Sequence, residues 1–296
     1  MAEKAMSFDE YLARELEKYK GVCVPVHSSL LRRRMIRKLS PYDMHPNPED
    51  EFSQPEIGPN RGIIADYEKQ FRTMMHGNYM HAEHYHGKHK PLTVERMKPD
   101  GYLILNGHHR WAAALRANVP SLPVKIVNLT QEKDIRRMLA ASSHHRRVSL
   151  DLDEVIFADP KEGPAEKTPF PWNLVYRQPM RLGFPALARF FNRRGYDIWV
   201  YSAEYHSQDQ IARWLKHHRA HVNGIITGTA RKVPESSRKA MEALLSAHYQ
   251  ETIHIDRNLV LKTESGTQGF REFPLSGDPA AWSREIMDII PETEKA

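Results

Sequence analysis

Two carboxylates, Asp151 and Asp153, stand two residues apart directly after the apolar run Val148-Ser149-Leu150. Where a β-strand is running out, both would emerge together at its C-terminal end. One carboxylate can then attack while the other moves a proton, the division of labour of covalent phosphoryl transfer. Alone, such a pair is also what a turn or a cap looks like. Its meaning rests on what else reaches the same edge.

From this point on, strands and helices alternate. A strand is expected at 148–152 and a helix at 185–194, stopped by Gly195. A strand at 197–201 precedes a helix at 207–218, with Ser207 and Gln210 as a capping box. A strand at 222–227, a helix at 236–249 and a strand at 252–255 complete the run. Alternation of this kind predicts a parallel sheet wrapped by helices, with ligands outside the carboxyl ends of the strands. The polar residues expected at those ends are Asp151, Asp153, Ser202 and Asp256, with Lys232 in the loop before the last helix. The set suits an aspartyl-phosphate route. Hard oxygens for Mg²⁺ would come from Asp151, the carbonyl of Asp153 and Asp256. Ser202 and Lys232 would neutralise phosphoryl oxygens.

This half resembles the haloacid dehalogenase (HAD) superfamily of phosphohydrolases over essentially all of residues 147–296. The resemblance rests on Asp151-Leu152-Asp153-Glu154-Val155, on Ser202 in Val200-Tyr201-Ser202-Ala203, on Lys232 in Arg231-Lys232-Val233-Pro234-Glu235, and on Asp256 in His254-Ile255-Asp256-Arg257-Asn258. It implies Asp151 as nucleophile and Asp153 as acid/base. It further implies Ser202 and Lys232 as phosphoryl holders and Asp256 as support for Mg²⁺. Arg257 stands where the fourth motif often carries a second acid, which weakens the metal site. The short, proline-bearing insert between Val155 and Pro185 resembles a minimal cap, leaving the site open to large substrates.

The first half reads differently. A helix is expected from Ser7 to Lys20, with Ser7 and Glu10 as a capping box. Five prolines between 40 and 62 make that stretch ordered loop. A helix at 64–75 follows, then strands at 92–94 and 101–105. The second strand ends at Asn106-Gly107, and His108-His109-Arg110 leads into an alanine-rich helix at 111–117. A strand at 119–127 and a helix at 131–141 close this half. A helix N-terminus after a glycine turn offers free N–H groups and a positive dipole end, which suits a phosphate. The histidines 76, 81, 84, 86 and 89 raise metal binding, yet no cysteine is near and their spacing fits no zinc template; a polar surface loop is the simpler account. Arg32-Arg33-Arg34 with Arg37 and Lys38 is either a phosphate contact or a solvated helix face.

Asn106-Gly107-His108-His109-Arg110-Trp111-Ala112-Ala113-Ala114 resembles the phosphate-binding motif of the ParB/sulfiredoxin superfamily. Leu39-Ser40-Pro41 with His45-Pro46-Asn47-Pro48 resembles its first box, and the likeness covers roughly residues 24–128. His108 stands where sulfiredoxins place their catalytic cysteine, so sulfinic acid repair is not expected. The Gly-His-His-Arg form looks most like the kinase-type members. The resemblance implies that Gly107, His108, His109 and Arg110 contact the phosphates of ATP or another NTP. Any of Glu49, Asp50 and Glu51 is a candidate base or metal ligand, or part of a solvated acidic loop.

The 296 residues suffice for two domains, expected at 1–145 and 146–296. The fold class expected is α/β: a ParB/sulfiredoxin-like α+β domain followed by a HAD-like Rossmannoid parallel sheet. A hydrophobic share of 40% and a charged share of 27% are those of a soluble globular protein. No apolar run is long enough to span a bilayer, no signal peptide is evident, and the single cysteine, Cys23, excludes an internal disulfide framework. These features point to the cytoplasm, without a membrane partner. The net charge of +6 favours acidic partners: a phosphorylated small molecule, a nucleotide or a nucleic acid. The function expected is Mg²⁺-dependent phosphomonoester hydrolysis fused to nucleotide binding. The alternatives are a kinase or NTPase in the first half, and nucleotide-gated DNA binding or nuclease action.

Overall fold

A computed structural model describes residues 7–19, 21–76, 90–159, 161, 163–264 and 269–295. His81, His84, His86 and His89 of the histidine-rich segment lie outside them. The chain divides into two compact units: Met1–Asn128 with Lys232–Pro234, and Leu129–Arg231 with Glu235–Ala296. Among the described residues no helix is long and apolar enough to cross a membrane.

The first unit opens with α1 (Phe8–Tyr19), where the capping box forms: Ser7 N–H donates to Glu10 Oε2 at 2.7 Å, and Glu10 N–H donates to Ser7 Oγ at 3.2 Å. β1 (Val24–Pro25) precedes α2 (Leu30–Met35), which carries Arg32, Arg33 and Arg34 and buries none of its residues. β2 (Lys38–Leu39) and β3 (Met44–His45) flank a 3₁₀ turn within the proline-rich loop. Then come α3 (Arg61–His76), β4 (Leu92–Lys98), β5 (Tyr102–Asn106), α4 (His108–Arg116) and β6 (Leu122–Val127). The sheet order is β2-β6-β4-β5-β3, with β1 pairing to β4. β4 runs antiparallel to β5 and parallel to β6.

β6 starts at Leu122, later than the expected 119. Asn118 takes a left-handed φ of 54°, and Val119 N–H reaches back to the Ala114 carbonyl at 2.9 Å. That backward bond closes α4 and delays the strand. The core of the unit is Trp111 with Ala112, Ala113 and Ala114, all fully buried, against Leu92, Val94, Ile104, Met44 and Ile64. Three consecutive small side chains let the α4 backbone come close to its neighbours on several sides.

The second unit begins with α5 (Glu132–Ala140) and β7 (Arg146–Asp151). A single π-helical turn, Leu152–Ile156, follows β7 directly. The insert after it is a two-stranded ribbon, β8 (Ala165–Glu166) with β9 (Met180–Arg181). α6 (Phe184–Arg193), β10 (Asp197–Ser202), α7 (Gln208–His217), β11 (Gly224–Thr227), α8 (Glu235–His248) and β12 (Glu251–Ile255) continue the alternation. Ser207 holds the N-cap position of α7 without the side-chain cap bond expected of it. β13 (Leu259–Glu264), β14 (Phe270–Pro274) and α9 (Trp282–Lys295) complete the unit and were not anticipated from the sequence.

The sheet order is β11-β10-β7-β12-β13-β14. The first four strands are parallel and the last two antiparallel. The chain leaves β7 towards β10 and β11, then returns to β12 on the other side, so the strand order reverses at β7. A crevice outside the carboxyl end of such a strand is where open α/β sheets bind ligands. The alternating side chains of β10 serve two cores. Ile198 and Val200 join Val148, Leu150, Phe184, Leu187, Trp214 and Ile286 on one face. Trp199 meets Ile135 and Leu139 of α5 with Leu245 and Tyr249 on the other. That second cluster is why residues 129–145 belong with this unit rather than with the first.

Candidate functional site

In the second unit the candidate residues collect where β7 and β10 end. Tyr201 pairs with Asp151 and Ile255 with Leu150, so Ser202 and Asp256 each leave the sheet beside Asp151. The Asp151 carboxylate caps the π-turn: its Oδ1 accepts the N–H groups of Asp153 and Glu154, both at 2.7 Å. The turn thereby brings Asp153 back over the strand end. Asp153 Oδ2 accepts the Ser202 hydroxyl at 2.8 Å, Ala203 N–H at 3.0 Å and Glu204 N–H at 3.4 Å. Its Oδ1 is buried, 3.3 Å from His206 Nε2. That pair is close enough for ion pairing, though it is not aligned as a hydrogen bond.

The two carboxyls are pushed apart in acidity. Burial raises Asp151, aided by the Asp153 charge, against the two N–H groups that favour its ionised form. Burial also opposes ionisation of Asp153, but the neighbouring His206 and hydrogen bonds from Ser202 and Glu204 prevail and hold it below its ordinary value. Asp153 is thus set up as an ionised base. An acid about to donate needs the reverse, and the negative charge of an incoming phosphoryl group would supply that by raising Asp153.

Ser202 is fully buried with its hydroxyl given to Asp153, a contact the sequence did not foretell. Asp256 is exposed at the start of the β12–β13 turn, its Oδ1 accepting Arg257 N–H at 2.6 Å. Arg257 and Asn258 line a cavity of about 220 Å³ together with Glu154, Phe157 and Arg181. Arg181 is held by stacking, its guanidinium carbon 4.3 Å from the centre of the Trp282 ring. Among the described residues no three His, Cys, Asp or Glu side chains converge to hold a metal. The oxygens available for Mg²⁺ are those of Asp151 and Asp256 with the Asp153 carbonyl. Their hard-oxygen chemistry fits that ion and leaves most of its coordination to water.

Lys232 groups with the first unit. Its Nζ lies 3.6 Å from Glu51 Oε1, and its carbonyl accepts from Asn47 Nδ2 at 3.1 Å. Lys232 is therefore described with the first unit, whereas Asp151 belongs to the second. Sequence order alone could not tell which unit this loop joins.

In the first unit β5 hands over to α4 at Gly107, whose φ of 107° admits glycine; a Cβ there would sit 2.8 Å from Leu92 Cγ. Trp111 pins the start of the helix, its Nε1 donating to the Pro41 carbonyl at 2.8 Å. The two histidines hold the preceding loop. His108 Nε2 accepts Asn47 N–H at 3.3 Å, and His109 Nε2 accepts Asn60 N–H at 3.1 Å. Phe52 stacks on His108 and meets His109 edge-on. Asp50 Oδ1 accepts Phe52 N–H at 3.0 Å and lies 3.6 Å from His108 Nδ1. Glu49 donates its N–H to Asn47 Oδ1. Of the three acids, Asp50 is the one in contact with the motif.

Burial lowers His108 to about 4, only partly offset by Asp50, and His109 is lowered for the same reason. Both rings are neutral near pH 7, with Nε2 used as an acceptor. The groups left to meet a phosphate are the backbone N–H groups of the first helical turn and Arg110, whose guanidinium donates to the Lys90 carbonyl.

No curated protein matches the chain. Two solved structures of the C-terminally truncated chromosome-partitioning protein ParB from Caulobacter crescentus are similar to parts of it. The one complexed with CTP-gamma-S is 24% identical with a TM-score of 0.21, covering 32% of this chain and 44% of that one. The one complexed to the centromeric parS site is 23% identical with a TM-score of 0.23, covering 37% and 51%. The likeness spans about half the length of those chains. Residues 66–143, from within α3 to just beyond α5 and including Gly107 to Arg110, match the family described as the ParB N-terminal domain.

Proposed function

We propose that this chain joins a ParB-like, nucleotide-binding domain to a HAD-like, Mg²⁺-dependent phosphohydrolase. The family match over residues 66–143 supports the first part most directly. The second part is carried by one observation: Asp151, Asp153 and Ser202 meet at the ends of β7 and β10, where the strand order reverses.

In the phosphohydrolase reading, the free Oδ2 of Asp151 attacks phosphorus and the bond to the leaving oxygen breaks. Asp153 delivers its proton to that oxygen. A water then attacks the phosphorus of the aspartyl-phosphate, giving its proton to Asp153 and releasing inorganic phosphate. Asp151, Asp256 and the Asp153 carbonyl would hold Mg²⁺, which when bound would neutralise charge on the phosphoryl oxygens. Ser202 acts by orienting Asp153 through its hydroxyl. The cavity bounded by Arg181, Arg257 and Asn258 gives the leaving group room and donors, which favours a nucleotide or a nucleic acid end. The short β8–β9 ribbon is the minimal cap of this reading. Mg²⁺-dependent phosphate release from p-nitrophenyl phosphate and from 3′- and 5′-phosphorylated oligonucleotides tests it. Equal release by Asp151→Asn and wild type would sink it.

A second reading is favoured by the family match together with the net charge of +6: nucleotide-gated DNA binding by the first unit. Retention on duplex DNA should then fall with salt and change on adding CTP or ATP. Retention unchanged by either nucleotide counts against it. A kinase or NTPase activity of the same unit would appear as nucleotide turnover lost in Arg110→Ala; turnover indifferent to that change excludes the motif as its seat.

A further inference from the structure

Asp153 is gripped on one side by three donors, all on Oδ2. Its other oxygen is buried, with His206 Nε2 3.3 Å away. His206 sits in the turn between β10 and α7, with its N–H donating to the Glu204 carbonyl at 2.9 Å. Its ring meets Phe157 edge-on at 5.6 Å, and Phe157 in turn meets Trp214 edge-on at 5.1 Å. Phe157 ends the π-turn that Asp151 caps, its N–H donating to the Leu152 carbonyl. The imidazole is therefore wedged between an aromatic wall and the Asp153 carboxylate, with about a third of its side chain still exposed.

A carboxylate held through one oxygen can rotate about that contact. We propose that His206 is a positioning residue for Asp153: its Nε2 edge, 3.3 Å away, braces Oδ1 while Ser202, Ala203 and Glu204 hold Oδ2. The carboxylate is thereby fixed from both sides in the orientation needed to reach the leaving oxygen. The inference rests on the phosphohydrolase reading only for the chemistry that Asp153 performs. The brace itself is a statement about the folded second unit. A glutamine at 206 keeps an N–H donor on a side chain of similar reach, whereas alanine removes it.

Two measurements on the full chain test this. With p-nitrophenyl phosphate and Mg²⁺, His206→Ala should lower kcat about ten-fold or more with KM nearly unchanged, and His206→Gln should recover most of the loss. A side chain that merely helped folding would not split kcat from KM in this way. An active wild type with unchanged kcat in His206→Ala overturns the proposal while leaving phosphohydrolysis intact. Should wild type release no more phosphate than Asp151→Asn, the phosphohydrolase reading fails by itself. The brace is then judged from urea unfolding of wild type, Asp153→Asn, His206→Ala and the double variant. Coupling of about three-fold or more in the unfolding constant supports it. Additive effects overturn it.

Discussion

Lowering the pH should loosen the first unit through His108. This ring is buried and uses Nε2 to accept the Asn47 N–H, so protonation both charges a desolvated group and removes the acceptor. Its folded value is about 4, against 6.5 for the free side chain. Between these values the unfolded chain binds the extra proton, so stability rises with pH across that window. The contribution is fully present above pH 6.5 and is lost as pH falls through 4. A shift of this size corresponds to about 3 kcal/mol. Urea unfolding of wild type and His108→Gln between pH 7.5 and 4 isolates it. The glutamine variant loses some stability at neutral pH, but it should not lose a further amount of that size as pH falls. Parallel stability curves for the two proteins over that range would refute the assignment of His108 as a neutral, loop-holding acceptor.

Other perturbations have equally specific outcomes. Gly107→Ala forces a Cβ onto Leu92 at a positive φ, and should cost at least about 1–2 kcal/mol while weakening nucleotide binding, read by thermal melts and calorimetry. Asp197→Asn disturbs a fully buried carboxylate shared by Ser142, His144 and Tyr249, and should destabilise the second unit by about 2–3 kcal/mol in chemical unfolding. Arg257→Ala removes a guanidinium from the cavity beside Asp256, and should raise KM for phosphorylated oligonucleotides several-fold more than for p-nitrophenyl phosphate.

Where the chain repeats one signal over five or more residues, its structure was legible. The apolar strands β7 and β10, and the helices α4 and α6, follow directly from such runs. The capping box of Ser7 and Glu10 forms as its residue types suggest. The two-residue strands β1, β2 and β3 are too short to carry any period. β13 was hidden because Lys262 lies on its buried side, where it is paired with Glu251 and Glu264. Pro291 inside α9 disguised that helix. At the candidate site, Asp151 and Asp153 could be read from their spacing, since a strand end delivers both. The direction of their contacts could not: the π-turn swings Asp153 onto Ser202, and only the folded turn after β10 brings His206 to it. The histidine pair illustrates the same limit. Gly107 announces a helix start, but the use of both rings as acceptors depends on Asn47 and Asn60, remote in sequence.

The central claim is that Asp151 carries the phosphoryl group. It is tested most directly by following phosphate release from p-nitrophenyl phosphate with Mg²⁺ in wild type and Asp151→Asn, purified side by side. Wild type should release phosphate and the variant should fall by roughly 10³-fold or more, since the nucleophile itself is lost. Equal release by the two proteins, or none by either, would contradict it.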